Sequence, residues 1–261
     1  MYELLTRSAA GDARKPHVLF VHGGFHAAWC WNEHWMSYFA ERGYGSTALS
    51  IRGHGASGGT YHHARLRDYV DDVSTVLAGL PAPPVLIGHS MGGSIVQHLL
   101  TRNTYPAAIL AASTPRGGVP FHVQARSFLR HPWVFVRTAL TLDARPMVET
   151  DELVREHFFS PRMPAADIRG IRTRLIGESF LSILDLRLHR PKRPLPATPI
   201  LVLAAACDAS APVSSQRRMA TDYGAAFAVI AESGHDIMLD INWRRAAEVA
   251  CDWLDSLALP G

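Results

Sequence analysis

A short apolar run, Pro84-Val85-Leu86-Ile87, is joined to a segment of helical spacing, Gly93-Ser94-Ile95-Val96-Gln97-His98-Leu99-Leu100, by Gly88-His89-Ser90-Met91-Gly92. The pattern reads as a buried strand that turns abruptly into a helix. Glycines on either side of the turn allow a backbone approach that a side chain would block. A serine at its apex carries its hydroxyl out of the sheet. The helix that begins there offers unpaired N–H groups and a partial positive charge. G-x-S-x-G in this setting makes Ser90 a candidate nucleophile; the competing reading is a glycine-rich turn with an incidental serine.

The rest of the chain repeats the strand–helix alternation. Strands are expected at Val18–Val21, Ser46–Ser50, Val85–Ile87, Ala108–Ala111, Ile200–Ala204 and Ala226–Ile230, with an edge strand near Tyr2–Thr6. Helices are expected over Trp31–Arg42, Leu66–Leu80, Ser90–Thr104, Val213–Tyr223 and Trp243–Leu257. This order predicts an α/β fold with a mostly parallel central sheet flanked by helices. Residues 121–190 break the alternation: they carry helical patterns and many aromatics but no convincing strand, and Pro191-Lys192-Arg193-Pro194-Leu195-Pro196 closes them. A crossover in a compact domain is usually far shorter. We therefore expect a core of 1–120 and 191–261 with a helical cap of 121–190; the alternative is ordinary helices packed on the sheet face.

A serine hydroxyl needs a base within hydrogen-bond reach, and the base needs an orienting group. Asp208 follows the strand at 200–204, and His235 follows the strand at 226–230. Functional groups gather at the carboxyl ends of strands in an open parallel sheet. Ser90, Asp208 and His235 all fall there, in that order along the chain. His89 is expected to point away along the turn, and Asp236 and Asp240 are too near His235 in sequence to approach its ring easily. Acyl transfer also needs donors for an oxyanion. The Met91 N–H is one candidate and the Gly24 N–H, in His22-Gly23-Gly24-Phe25, is the second, with Phe25 as the alternative. His22 is expected to brace this loop.

Three separated blocks carry a family likeness: His22-Gly23-Gly24 with Trp29-Cys30-Trp31, Gly88-His89-Ser90-Met91-Gly92-Gly93, and Ser233-Gly234-His235. Arg52-Gly53-His54-Gly55-Ala56-Ser57 adds to them. With these blocks the chain resembles the α/β-hydrolase superfamily over nearly its whole length, in its compact esterase or lipase-like branch with a helical cap. The resemblance implies that Ser90, Asp208 and His235 are nucleophile, acid and base, with Gly24 and Met91 as oxyanion donors. One departure is Ser50, where the family often has an aspartate two residues before the arginine.

The implied activity is a serine hydrolase that cleaves an apolar ester, thioester or lactone through an acyl-enzyme. The same residues also serve acyl transfer, cyclisation and lyase chemistry, or a ligand receptor without catalysis. Phe25, Trp29, Phe128, Trp133, Phe159 and Met238 are expected pocket walls. No cofactor is expected. The fourteen histidines lack metal-ligand spacing, so no metal site is expected either. A net charge of +3 without a basic stripe gives no support to nucleic-acid binding. No apolar run approaches the roughly 20 residues of a membrane span. The first residues lack a signal-peptide layout, so a cytoplasmic location is expected. Cys30, Cys207 and Cys251 are expected to be buried free thiols.

Overall fold

The computed structural model describes residues 1–11, 15–188, 191–193 and 197–259. Seven strands form one sheet: β1 (Glu3–Arg7), β2 (Val18–Val21), β3 (Ser46–Ser50), β4 (Val85–His89), β5 (Ala108–Ala111), β6 (Ile200–Ala205) and β7 (Ala226–Ile230), in the order β1-β3-β2-β4-β5-β6-β7. β1 runs antiparallel to β3, and every other pair is parallel. The register pairs Val18 with Val85 and Leu86 with Ala108.

Side chains alternate across a strand, so each strand supplies two cores. Val18, Phe20, Val85, Ile87 and Ile109 face one layer with α1 (Trp29–Asn32), α2 (Trp35–Glu41) and α11 (Trp243–Ser256). There Phe20 stacks on Trp31 at 4.8 Å, and Trp35 stacks on Phe39 at 5.6 Å. Leu19, Val21, Leu86, Ala108 and Leu110 face the other layer with α3 (Leu66–Ala78), α4 (Met91–Leu99) and α10 (Val213–Tyr223). Burial on both faces explains why these strands read as unbroken apolar runs rather than alternating ones. The single helix expected over Trp31–Arg42 is two, α1 and α2, separated by Glu33-His34.

Residues 121–188 form α5 (Phe121–Arg130), α6 (Pro132–Thr141), a 3-10 turn (Arg145–Val148), α7 (Asp151–Phe158), α8 (Ala165–Arg172) and α9 (Phe180–Leu188). The expected ends of this section, His189-Arg190 and Pro194-Leu195-Pro196, lie outside the described residues. Polar contacts fasten it to loops at the carboxyl ends of the strands. The Ile176 N–H donates to the Phe25 carbonyl at 3.0 Å, and the Asp236 N–H to the Phe158 carbonyl at 2.8 Å. Ser160 donates through its N–H and its hydroxyl to Asp240.

The deepest tie is Glu178, fully buried beneath α9. One carboxylate oxygen accepts from Tyr69 at 2.6 Å, Ser182 at 3.0 Å and its neighbour Ser179 N–H at 2.7 Å. The other meets His54 Nε2 at 3.2 Å. His54 is fully buried and joins the loop after β3 to the helical section. Burial opposes charge on both groups, and their mutual attraction outweighs it. His54 stands above its ordinary value and Glu178 below its own.

Cys30 and Cys251 are buried, but Cys207 is exposed because it sits in the turn after β6. No helix among the described residues is long and apolar enough to cross a membrane.

Two glycines make opposite predictions. A Cβ on Gly92 would collide with the Val21 and His22 carbonyls, whereas one on Gly170, within α8, meets nothing within 4 Å. Gly92→Ala is expected to lower the melting temperature sharply or abolish soluble expression. Gly170→Ala is expected to stabilise by about 1 kcal/mol, seen as a rise of about 2–4 °C in Tm.

The His54–Glu178 pair fixes a pH window. A raised histidine contributes fully below its unfolded value of 6.5 and loses that contribution as pH rises through the folded one. A depressed carboxylate contributes fully above 4.5 and loses it as pH falls through the folded value. The stability deficit of Glu178→Gln is therefore expected to be greatest between pH 4.5 and 6.5 and to narrow above that range, measured by urea unfolding across pH.

Candidate active site

The turn between β4 and α4 holds Ser90 at φ 51°, a left-handed conformation rare for a residue with a side chain. A Cβ at Gly88 would strike the Gly92 carbonyl, so glycine there lets the helix start against the strand end. Ser90 is half-buried, and its Oγ lies 2.8 Å from His235 Nε2.

His235 follows β7. Gly234 before it lies so close to the Phe159–Ser160 backbone that a Cβ would clash. The opposite ring nitrogen, Nδ1, lies 2.8 Å from Asp208 Oδ2. Asp208 is held by its own turn after β6: Oδ1 accepts from the N–H groups of Ser210 and Ala211, both at 2.8 Å. One oxygen orients the carboxylate and the other meets the imidazole. Burial opposes charge on His235, but the Asp208 carboxylate, by charge and hydrogen bond, and then Asp236 raise its pKa above the ordinary histidine value. The three residues singled out from sequence thus converge on one point.

His89 does not simply point away. It is buried, its Nε2–H donates to the His235 carbonyl at 2.9 Å, and burial and His235 push its pKa down to about 3. It props the loop that presents His235. Asp236 is engaged elsewhere: its Oδ2 pairs with His26 Nε2 at 2.9 Å. Sequence reasoning missed this pair and Glu178. Asp236 stood beside a stronger candidate, and Glu178 lies in a stretch with no motif.

Two histidines set the loop after β2. His22 Nδ1–H donates to the Gly23 carbonyl at 2.7 Å while its Nε2 accepts from the Ile51 N–H at 3.2 Å. That is a neutral ring, as expected where burial lowers the pKa well below the usual value. His26 Nδ1 donates to the Gly24 carbonyl at 2.8 Å. A trans peptide points its N–H opposite its carbonyl, so drawing the Gly23 carbonyl towards His22 turns the Gly24 N–H to the other side.

Ser90, His235, Gly24 and Met91 border a chamber of about 120 Å³, walled by Phe25, Phe158, Met147, Ile183 and Leu186. A groove of about 600 Å³ adjoins it and shares Val119, Met147, His157, Ile183, Leu186 and Ser210. Phe25 lines the chamber and Phe159 the groove. The other four expected walls border neither space. Trp29 lies under the Arg174 guanidinium at 3.9 Å, and Met238 is wholly in the core. Phe128 and Trp133 are exposed, because α5 and α6 turn those faces to solvent. Met147, Phe158, Ile183 and Leu186 occupy the wall positions instead. Among the described residues, no group of three or more His, Cys, Asp or Glu side chains is placed to hold a metal ion.

Comparison with known proteins agrees with this architecture. Residues 18–252 match the model of the alpha/beta hydrolase family. Protein phosphatase methylesterase 1 of Bos taurus is 32% identical over 99 residues, 36% of this chain and 26% of that protein. Esterase PIR7B of Oryza sativa subsp. japonica is 31% identical over 131 residues, 46% of this chain and 47% of that protein. The chain thus spans less than half the length of these curated relatives. The esterase from Exiguobacterium antarcticum shares the fold with a TM-score of 0.78 at 18% identity, over 97% of this chain and 95% of that one. The sheet, the strand–serine–helix turn and the family match over most of the sequence together place this chain in the alpha/beta hydrolase family.

Proposed function

We propose that the chain is a serine hydrolase that cleaves a carboxylic ester through an acyl-enzyme on Ser90. The observation that carries the reading is the pair of 2.8 Å contacts from His235, one to Ser90 and one to Asp208, at the floor of an apolar chamber. The methylesterase and esterase names of the relatives support ester as the bond class.

In this mechanism His235 takes the Ser90 proton as the hydroxyl attacks the carbonyl. Asp208 holds the imidazole tautomer and stabilises its cation. The Gly24 and Met91 N–H groups stabilise the oxyanion, and each such donor lowers the barrier by about 3–4 kcal/mol. The alcohol leaves with the proton from His235, and a water deprotonated by the same ring releases the acid. Residues 121–190 act as a cap on the core formed by 1–120 and 191–261, excluding bulk water from the chamber. The Phe25, Phe158, Ile183 and Leu186 walls favour an apolar group next to the scissile carbonyl.

A fluorophosphonate probe is expected to label the protein stoichiometrically at Ser90, with labelling lost in Ser90→Ala. With p-nitrophenyl esters, Ser90→Ala is expected to lower kcat by on the order of a million-fold. Asp208→Asn is expected to lower it by about ten-thousand-fold. Folded protein that neither labels nor turns over any ester would favour a ligand receptor. Product analysis with added alcohol separates hydrolysis from acyl transfer.

The pH profile has a definite sign. His235 must be neutral to accept the proton, so activity is expected to fall on acidification through a value above 6.5. Removing the carboxylate that raises that value, as in Asp208→Asn, is expected to move the acid limb to lower pH, read from kcat/KM across pH.

A further inference from the structure

The groove beyond the chamber carries a charge pattern that an apolar ester does not explain. Among the described residues, four arginines line it, Arg126, Arg130, Arg155 and Arg187, against two carboxylates, Glu156 and Asp208. Both carboxylates are committed. Glu156 pairs with Arg130 at 2.6 Å and with His131 at 2.9 Å, and Asp208 holds His235. Arg155 donates to the Met163 and Pro161 carbonyls, and among the described residues it makes no carboxylate ion pair.

Arg187 is the sharpest case. It lies on α9, half-buried, and among the described residues its guanidinium meets only the Phe135 ring, 6.0 Å from the ring centre. Burial lowers its pKa, and no carboxylate among the described residues offsets that effect. A guanidinium keeps its proton at neutral pH, so withdrawing it from water is costly until an anion is supplied. Arg126, exposed on α5, borders the same groove, spaced four residues from His122 and from Arg130, so that three basic side chains share the helix face along the groove.

We propose that the groove is an anion subsite and that the substrate is an ester carrying a carboxylate or phosphate, held by Arg187 and Arg126. The anion stands one short apolar spacer away from the scissile carbonyl. The spacer crosses the walls common to both spaces, Val119, Met147, Ile183 and Leu186. This inference rests on the hydrolase reading, and it restricts the substrate to amphipathic, negatively charged esters. A planar guanidinium suits either anion by paired hydrogen bonds.

The test compares charged esters with uncharged partners of matched length. On the acyl side, p-nitrophenyl hydrogen adipate is set against p-nitrophenyl methyl adipate, and a phosphate-ended acyl ester separates the two sources of charge. On the alcohol side, 4-(butyryloxy)butanoate is set against its amide. At least one charged ester is expected to exceed its partner in kcat/KM by about tenfold, the size of one charge-assisted hydrogen bond. The preference is expected to shrink at high salt, to vanish in Arg187→Met and to return in part in Arg187→Lys. Circular dichroism and the melting temperature check that the variants fold, and Arg126→Ala gives the same readout should Arg187→Met fail to fold. Equal turnover of charged and uncharged esters would overturn the anion subsite while leaving the hydrolase intact, as would a preference that survives Arg187→Met. Absence of turnover for every ester, together with absence of fluorophosphonate labelling, would overturn the hydrolase reading and the subsite with it.

Discussion

The start of α4 is pressed so closely against the end of β2 that only a hydrogen atom fits at Gly92, facing the Val21 and His22 carbonyls. That approach dictates much else. It forces β4 to turn within one residue, which places Ser90 in the left-handed region. It also brings the loop after β2 alongside the serine, so that Gly23 lies close against His89 and Ser90. Any side chain at Gly92 would separate the two loops, and the floor of the chamber would open. The strain at Ser90 persists because β2 and β5, on either side of β4, over-determine the position of the turn.

A second theme is the handling of buried histidines. His22, His26, His54 and His89 are all inaccessible, and each has a stated partner: a peptide carbonyl, Asp236, Glu178 and the His235 carbonyl respectively. The His22 and His89 rings hold backbone, whereas His26 and His54 bridge separate parts of the fold through carboxylates. Glu178 borders the chamber near Gly24, where an unpaired carboxylate would repel an oxyanion. His54 draws that charge away and offsets it. In the outer groove Arg130 has Glu156, whereas Arg187 meets no carboxylate among the described residues.

The parts of the fold legible in sequence were those with local signatures. Runs such as Val18–Val21 and Ala108–Ala111 are apolar because both faces are covered, and their order along the chain implies parallel pairing. Ser90, Asp208 and His235 each follow a strand, so their meeting could be read from topology. The walls could not. Whether an aromatic on α5 or α6 faces in or out depends on how the helix is rotated about its axis, and Phe128 and Trp133 face out. Long-range ion pairs such as His26–Asp236 and His54–Glu178 have partners 210 and 124 positions apart, with no spacing rule to reveal them.

Ser50 ties the loop after β3 to a carboxylate on a distant strand. Its hydroxyl donates to Glu3 on β1 at 2.5 Å and accepts from the Ala28 N–H at 2.9 Å, and Glu3 also receives the Ala56 N–H at 3.2 Å. The loop that carries His54 is thereby anchored to the outermost strand of the sheet. Through His54 and Glu178, the anchorage continues to the wall beside Gly24. The edge of the molecule is thus a remote lever on the chamber. Directed evolution for a new substrate would be expected to enrich changes at Glu3 and Ser50 alongside those in the lining itself.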